Sequence, residues 1–346
     1  MYSLRDDYSE GGCPAVMSAL SAAAGEQNIT YGEDAHCEAA AAKILALCGD
    51  PDAEVAFLNG GTQTNLLVIS ALLRPYESAI AAATGHINVH ETGAIEATGH
   101  KVCTIPAPEG KLTPELIESV VSAHTDEHMV KPRLVYISDS TELGTVYTKD
   151  ELAAIRGCCL EHGLYLYLDG ARLGAAMTCA ENDMELSDIA ALTDVFYIGG
   201  TKNGALFGEA LVMRCPELRR DFRYMVKQRG ALTAKGFALG VQFEALFDGG
   251  KDSLWFALAA HENEAASRIA AAAAESGYGF TARPQTNQLF VAMPDARAKE
   301  LSAVFPFHAM GSLPGGRTVA RLVTSWAIPV SATDEICAWF SSHPAR

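Results

Sequence analysis

Seven short apolar runs punctuate much of the chain, each ending in glycine or a polar cluster: EVAFLNGG, SAIAAATGH, KVCTIPAP, RLVYISDST, LYLYLDGAR, DVFYIGGTK and EALVMRCP. Runs of this length, bounded by turn residues, predict strands buried on both faces. Between them lie TQTNLLVISALL, TPELIESVVSAH and TKDELAAIRGCCLEHG, whose apolar positions recur with helical spacing. Thr148 stands three residues before Glu151, the spacing of a capping box, and Pro114 suits the first turn of its helix. Strands alternating with helices predict an α/β fold, with crossover units around a mostly parallel sheet covered on both faces.

The pattern changes after QFEALFDGGKDS. An alanine-rich helix, AAHENEAASRIAAAAAESG, precedes strand-like QLFVAMP and ARLVTSW and a carboxyl-terminal helix. This divides the chain into a large unit over 1–248, amino-terminal segment included, and a smaller unit over 249–346. The alanine runs at 39–42 and 270–274 read as helix surface or packing.

Composition narrows the partners. The 346 residues carry a formal net charge of −16 and are 49% hydrophobic and 20% charged, a globular balance. Such acidity argues against nucleic-acid backbones and anionic membranes as partners and fits a soluble enzyme or a small-molecule binding protein. The start, MYSLRDD, turns acidic where a signal peptide would turn apolar, and no run approaches the roughly 18 apolar residues of a membrane span. Nine scattered cysteines show neither CxxC nor a finger spacing, so reduced thiols in a cytoplasmic protein are expected.

Three strand ends carry groups with chemical use, at the edge where open α/β sheets place ligands. In NGGTQTN (59–65), Gly60 and Gly61 permit close backbone approach, and Thr62 with the first free helix amides can hold a phosphate. No GK[ST] and no GxGxxG accompanies it, so neither a triphosphate loop nor a dinucleotide fold is indicated. Asp169 ends LYLYLD, with Arg172 three residues on, and Lys202 follows VFYIGGT. Singly, these read as a turn, a helix cap and a solvated lysine. Together they meet the requirements of pyridoxal 5'-phosphate: a dianion cradle, a carboxylate that keeps the ring nitrogen protonated, and an amine that forms a Schiff base.

In order and separation these residues resemble the fold-type I pyridoxal-phosphate enzymes, and the chain is similar to the low-specificity L-threonine aldolases of the β-eliminating lyase group. The likeness runs from LRDDYSEGGCP through YGED, GGTQTN, GHINVHETGA, PRLVYIS, LDGARLGAA and GGTKNG to RLVTSW, with LDGARL its most specific piece. It implies a large cofactor domain with a mostly parallel seven-stranded sheet flanked by helices, and a small α+β carboxyl-terminal domain. It also implies a homo-oligomer, a tetramer built of dimers, whose active sites are shared between subunits. By position it implies Lys202 as the Schiff-base lysine, Asp169 as partner of the pyridine nitrogen, and Gly61 and Thr62 as the phosphate loop. His86 is implied to stack on the cofactor ring, and His128 to stand near the substrate's β-substituent. Arg172 and Arg321 are implied near the cofactor's phenolic oxygen and the substrate carboxylate. Tyr31 is implied to reach the neighbouring subunit's site, and Arg229 or Lys235 a neighbour's phosphate.

The departures from the family surround the substrate. Asp6 stands where the family has a serine that helps hold the substrate carboxylate. Ser138-Asp139-Ser140-Thr141-Glu142 replaces ENT, and TKNGALF replaces SKGLGAP. The resemblance implies retro-aldol cleavage of a β-hydroxy-α-amino acid to glycine and an aldehyde, with β-elimination, transamination or racemisation on the same scaffold as the alternative. A metal hydrolase would use His86, His90 and Glu91, or His124 and His128. The order HxxxHE is not HExxH, and TGHINVHETG reads as turn and loop, so no metal is expected.

Overall fold

The seven apolar runs form one sheet. In chain order its strands are β1 (Glu54–Leu58), β2 (Glu77–Ala82), β3 (Lys101–Ile105), β4 (Lys131–Ser138), β5 (Tyr165–Asp169), β6 (Val195–Gly199) and β7 (Glu209–Met213). In space they lie in the order β1-β7-β6-β5-β4-β2-β3. These elements belong to a computed structural model that describes residues 2–345. Strands β6, β5, β4, β2 and β3 pair in parallel, while β7 pairs antiparallel with both β6 and β1. Only β7 therefore runs against the rest.

Burial on both faces follows from the two-residue period of a strand. On β5, Leu166 and Leu168 join Val135, Ile137, Phe196 and Ile198 in one core layer. Tyr167 points the other way, into a layer with Tyr136, Tyr197 and the helix Gly61–Leu72, which contributes Leu67, Val68 and Ile69. The helix Lys149–His162 begins with a full capping box: the Thr148 hydroxyl accepts from the Glu151 amide at 3.3 Å, and the Glu151 carboxylate accepts from the Thr148 amide at 2.9 Å. One stretch read as turn and loop contains a single helical turn, His86–Val89.

A second, four-stranded sheet has β8 (Gly279–Phe280), β9 (Gln288–Pro294), β10 (His308–Leu313) and β11 (Arg317–Val323) in the order β10-β11-β9-β8. Helices Leu254–Glu275 and Val330–Ser342 cover it. The runs QLFVAMP and ARLVTSW lie on β9 and β11; β10 carried no apolar signal because its residues are nearly all exposed.

The amino-terminal segment departs from its grouping with the large unit. Leu4 is fully buried in the core of the second sheet, donating its amide to Pro306 O at 2.7 Å and accepting from Val323 N at 2.9 Å. This crossing carries Asp6, Asp7 and Tyr8 to the seam between the two sheets. Among the described residues no helix is long and apolar enough to cross a membrane, and all nine cysteines are unpaired.

Candidate active site

A cavity of about 310 Å³ opens at the carboxyl ends of β4, β5 and β6. Seven residues singled out in the sequence line it: Gly60, Gly61, Thr62, His86, Asp169, Arg172 and Lys202.

Asp169 lies at its floor, 4% exposed, at the end of β5. One oxygen accepts from the Tyr136 hydroxyl at 2.6 Å and the Asn65 amide at 3.0 Å. The other accepts from the Tyr197 hydroxyl at 2.5 Å and the Ala171 backbone amide at 3.0 Å. Burial alone would raise its pKa. The charge of His86 and the bonds from Tyr136, Tyr197 and Asn65 outweigh it and hold the carboxyl below the ordinary aspartate value. Tyr167 completes the cage by donating to Asn65 Oδ1 at 2.6 Å. Glycine is needed just beyond: a Cβ at Gly170 would stand 1.8 Å from the Tyr197 carbonyl oxygen.

Lys202 follows β6, its Nζ 5.9 Å from the centre of the Tyr8 ring. Burial and the nearby Arg172 guanidinium push its pKa down, against the pull of Asp7, Asp169 and Glu209. Among the described residues no carboxylate lies within 4 Å of its amine. A lysine so placed sheds its proton more easily than a solvated one and can act as a nucleophile.

The turn Gly60–Thr62 opens the helix Gly61–Leu72, and no side chain caps that helix. Its first amides are therefore open to an anion. Gly61 has a second reason to lack a side chain, since a Cβ there would lie 2.9 Å from the Tyr197 hydroxyl.

His86 donates from Nδ1 to Glu91 Oε1 at 2.7 Å, and Asn65 donates to the same oxygen at 2.6 Å. Asn65 thus ties the His86–Glu91 pair to Asp169. Glu142 accepts from the His86 backbone amide at 2.8 Å and the Ser138 hydroxyl at 2.7 Å. Its own burial raises its pKa.

Arg172 is committed elsewhere in part. It donates from Nε to Asp7 Oδ2 at 2.7 Å and from Nη2 to Asp7 Oδ1 at 3.0 Å. Arg321 projects from β11 toward the same groups; burial and the Arg172 charge lower its pKa, and its buried Nε has no hydrogen-bond partner. Asp6, expected at the substrate carboxylate, accepts instead from the Tyr8 amide at 3.3 Å and the Ser9 hydroxyl at 2.8 Å.

Besides Asp6 and Arg321, four sequence-derived candidates do not line the cavity. His128 sits on the exposed loop before β4, its amide donating to Asp126 at 3.0 Å. The eight-residue β4, at about 3.3 Å per residue, separates that loop from the Ser138 end that lines the site. Within one chain His128 therefore does not meet Lys202. Tyr31 lines a separate cavity of about 290 Å³ beside β1, with Lys227 Nζ 4.7 Å from its ring centre. Arg229 and Lys235 are both exposed. Among the described residues no group of three His, Cys, Asp or Glu side chains could hold a metal ion.

Several residues of the site carried no assigned role in the sequence: Asp7, Asn65, Glu209 and the tyrosines 136, 167 and 197, while Glu91 was weighed only as a metal ligand. The tyrosines did carry a signal. Each stands two positions before the last residue of its strand and so shares the face of that strand end.

A sequence profile of the β-eliminating lyase family matches residues 3–296. A low-specificity L-threonine aldolase of a Pseudomonas species is 35% identical over 341 residues, covering 96% of this chain and 95% of its own length. Among solved structures, a threonine aldolase of Leishmania major superposes with a TM-score of 0.95 at 47% identity, covering 99% of this chain and 98% of that one. An aspartate aminotransferase of Thermus thermophilus shares the fold alone, with a TM-score of 0.73 at 15% identity, covering 99% and 91%.

Proposed function

The chain belongs to the β-eliminating lyase family, and from that premise we propose that it is a pyridoxal-phosphate-dependent lyase of the threonine aldolase type. It cleaves a β-hydroxy-α-amino acid such as L-threonine or L-allo-threonine to glycine and an aldehyde. The observation that carries the reading is the convergence of Lys202, Asp169 and the Gly60–Thr62 turn on one cavity.

The residues present suit the cofactor. An uncapped helix start can take its phosphate, and a Cβ at Gly60 would meet no atom within 4 Å, so the backbone there stands open. Gly61 and Thr62 would hold the phosphate, Lys202 the aldehyde end, Asp169 the ring nitrogen and His86 a face of the ring. When bound, the cofactor supplies an electron sink for the pair released as the Cα–Cβ bond breaks.

The chain's own groups do the rest. Asp169, held ionised by its donors, is the group that would keep the ring nitrogen of the cofactor protonated. Arg321 offers its unpaired Nε to the substrate carboxylate, and a planar guanidinium fixes that group in orientation as well as place. Arg172 assists with the donors that Asp7 leaves free. With Nδ1–H donated to Glu91, the neutral form of His86 has Nε2 free to take the proton of the β-hydroxyl, directly or through water, and gains in taking it the charge that favours ionised Asp169.

Tyr31, His128 and Arg229 or Lys235 are assigned to a neighbouring subunit's site in a tetramer built of two dimers. Exposed Tyr8 and Phe207, both lining the cavity, support a covered mouth. Unpaired cysteines support a reducing, cytoplasmic setting.

The test is product analysis. Holoenzyme supplied with L-threonine and L-allo-threonine is expected to release acetaldehyde, followed with a coupled alcohol dehydrogenase, and glycine in equal amount. Ammonia with a keto acid, and no aldehyde, would move the assignment to elimination or transamination.

A further inference from the structure

A buried acid stands where the phosphate cradle and the lysine loop meet, and the reaction above gives it no task. Glu209 begins β7, paired with Leu58 of β1 on one side and Gly199 of β6 on the other. Leu58 leads into the Gly60–Thr62 turn, and Gly199 leads into the loop that carries Lys202. The register thus places Glu209 beside the roots of both, and its side chain lines the cavity with Gly60, Gly61 and Thr62.

The residue is 4% exposed. Its Oε2 accepts from the Gly200 amide at 3.0 Å and its Oε1 from the Thr201 hydroxyl at 2.8 Å. Burial raises its pKa to about 7, against the two hydrogen bonds and Lys202. The charged and titratable groups facing it are Lys202 after β6, Asp169 and Tyr167 on β5, and Tyr197 on β6. Lys202 is the one cation among them.

A fixed carboxylate is a poor neighbour for a dianion. Two anions forced into one low-dielectric site settle by protonating one of them. We propose that Glu209 is the proton-carrying residue of the phosphate cradle: it is neutral when a phosphate monoester is bound, so docking draws one proton from solvent onto its carboxyl. The neutral acid continues to accept from the Gly200 amide. Its new O–H no longer needs the Thr201 hydroxyl as a donor, which leaves that hydroxyl free to turn to the phosphate.

This rests on the cofactor reading above, and the experiment separates the two. Cofactor-free protein prepared from the holoenzyme is titrated calorimetrically with pyridoxal 5'-phosphate, in two buffers of different ionisation enthalpy, near pH 8. Wild type is expected to take up about one proton more than Glu209→Gln, and its affinity to fall about tenfold per pH unit relative to the variant above neutrality. Pyridoxal, which lacks the phosphate, is expected to show no such difference. Equal proton counts and parallel pH slopes overturn the proposal. If Glu209→Gln does not fold, the wild-type proton count with pyridoxal 5'-phosphate minus that with pyridoxal reads the same quantity, and zero overturns it. Failure of both proteins to bind the cofactor removes the cofactor reading and this inference together, whereas binding without the extra proton removes this inference alone.

Discussion

Asp7 holds Arg172 through two parallel hydrogen bonds, at 2.7 and 3.0 Å, across 165 residues of sequence. Asn287, the residue before β9 of the second sheet, donates to the same carboxylate at 2.9 Å. One ion pair therefore joins the amino-terminal segment, the LDGAR loop and the smaller sheet at the wall of the cavity.

Removing one member of this pair leaves the other charge buried. Asp7 is wholly buried and the Arg172 side chain is 12% exposed. Breaking such a pair costs about 3–5 kcal/mol. Asp7→Ala is expected to lower unfolding free energy by that order in a urea titration and to raise KM. Burial works against the Asp7 carboxylate, while Arg172 and Lys202 hold its pKa below the ordinary value. The pair's stabilisation is therefore complete above the unfolded aspartate range and is lost as pH falls through the lowered value. Wild-type stability should drop on acidification more than that of Asp7→Ala.

The tyrosine cage sets the charge of Asp169. Tyr136→Phe and Tyr197→Phe each delete one hydrogen bond to a carboxylate, worth about 1.5–3 kcal/mol, or roughly one to two pKa units. Because the folded pKa is depressed, loss of a donor moves it upward. The acid edge of kcat/KM is expected to shift to higher pH by about one unit or more in each variant, with the alkaline edge unchanged. An acid edge that stays in place would assign that titration to another group.

How much of this was legible in the sequence depended on the range of the interaction. The strands were legible because burial on both faces leaves a consecutive apolar run, and Lys202, Asp169 and Thr62 because each ends or follows such a run. Asp7 was not, since a carboxylate in RDD looks solvated until Leu4 pins its segment to the far sheet. Nor was Asn65, whose partners are Tyr167 and Asp169 on β5 and Glu91 in the loop after the His86–Val89 turn, 26 to 104 residues away. His128 shows the converse: a motif match placed it near substrate, while within one chain the direction of β4 carries it to the opposite end of the sheet from Lys202.

Lys202 is the direct test of the assigned chemistry. Lys202→Ala is expected to lose the yellow chromophore and any borohydride-reducible adduct. Turnover should fall by at least about a thousandfold, some 4 kcal/mol of barrier. Circular dichroism should remain that of the wild type, because the amine has no carboxylate within 4 Å among the described residues to leave unpaired. A colourless wild-type protein, or a variant with intact activity, would sink the cofactor assignment.

Asp139 offers a stability test away from the reacting groups. Its carboxyl is 1% exposed and accepts one bond, from the Tyr147 amide at 3.4 Å. Burial raises its pKa from 3.8 to about 8, with the Tyr147 amide and Lys111 opposing and Glu151 adding to the rise. Between those two values the folded chain holds a proton that the unfolded chain has released. Stability attributable to this group therefore falls as pH rises across that window. Asparagine reproduces the neutral acid at every pH and escapes the loss. The Tm of Asp139→Asn minus that of wild type should be near zero at about pH 4, grow steadily toward about pH 8, and level off beyond. A difference that stays flat, or that shrinks with rising pH, would mean that Asp139 is ionised in the folded protein and that an unrecognised cation compensates it.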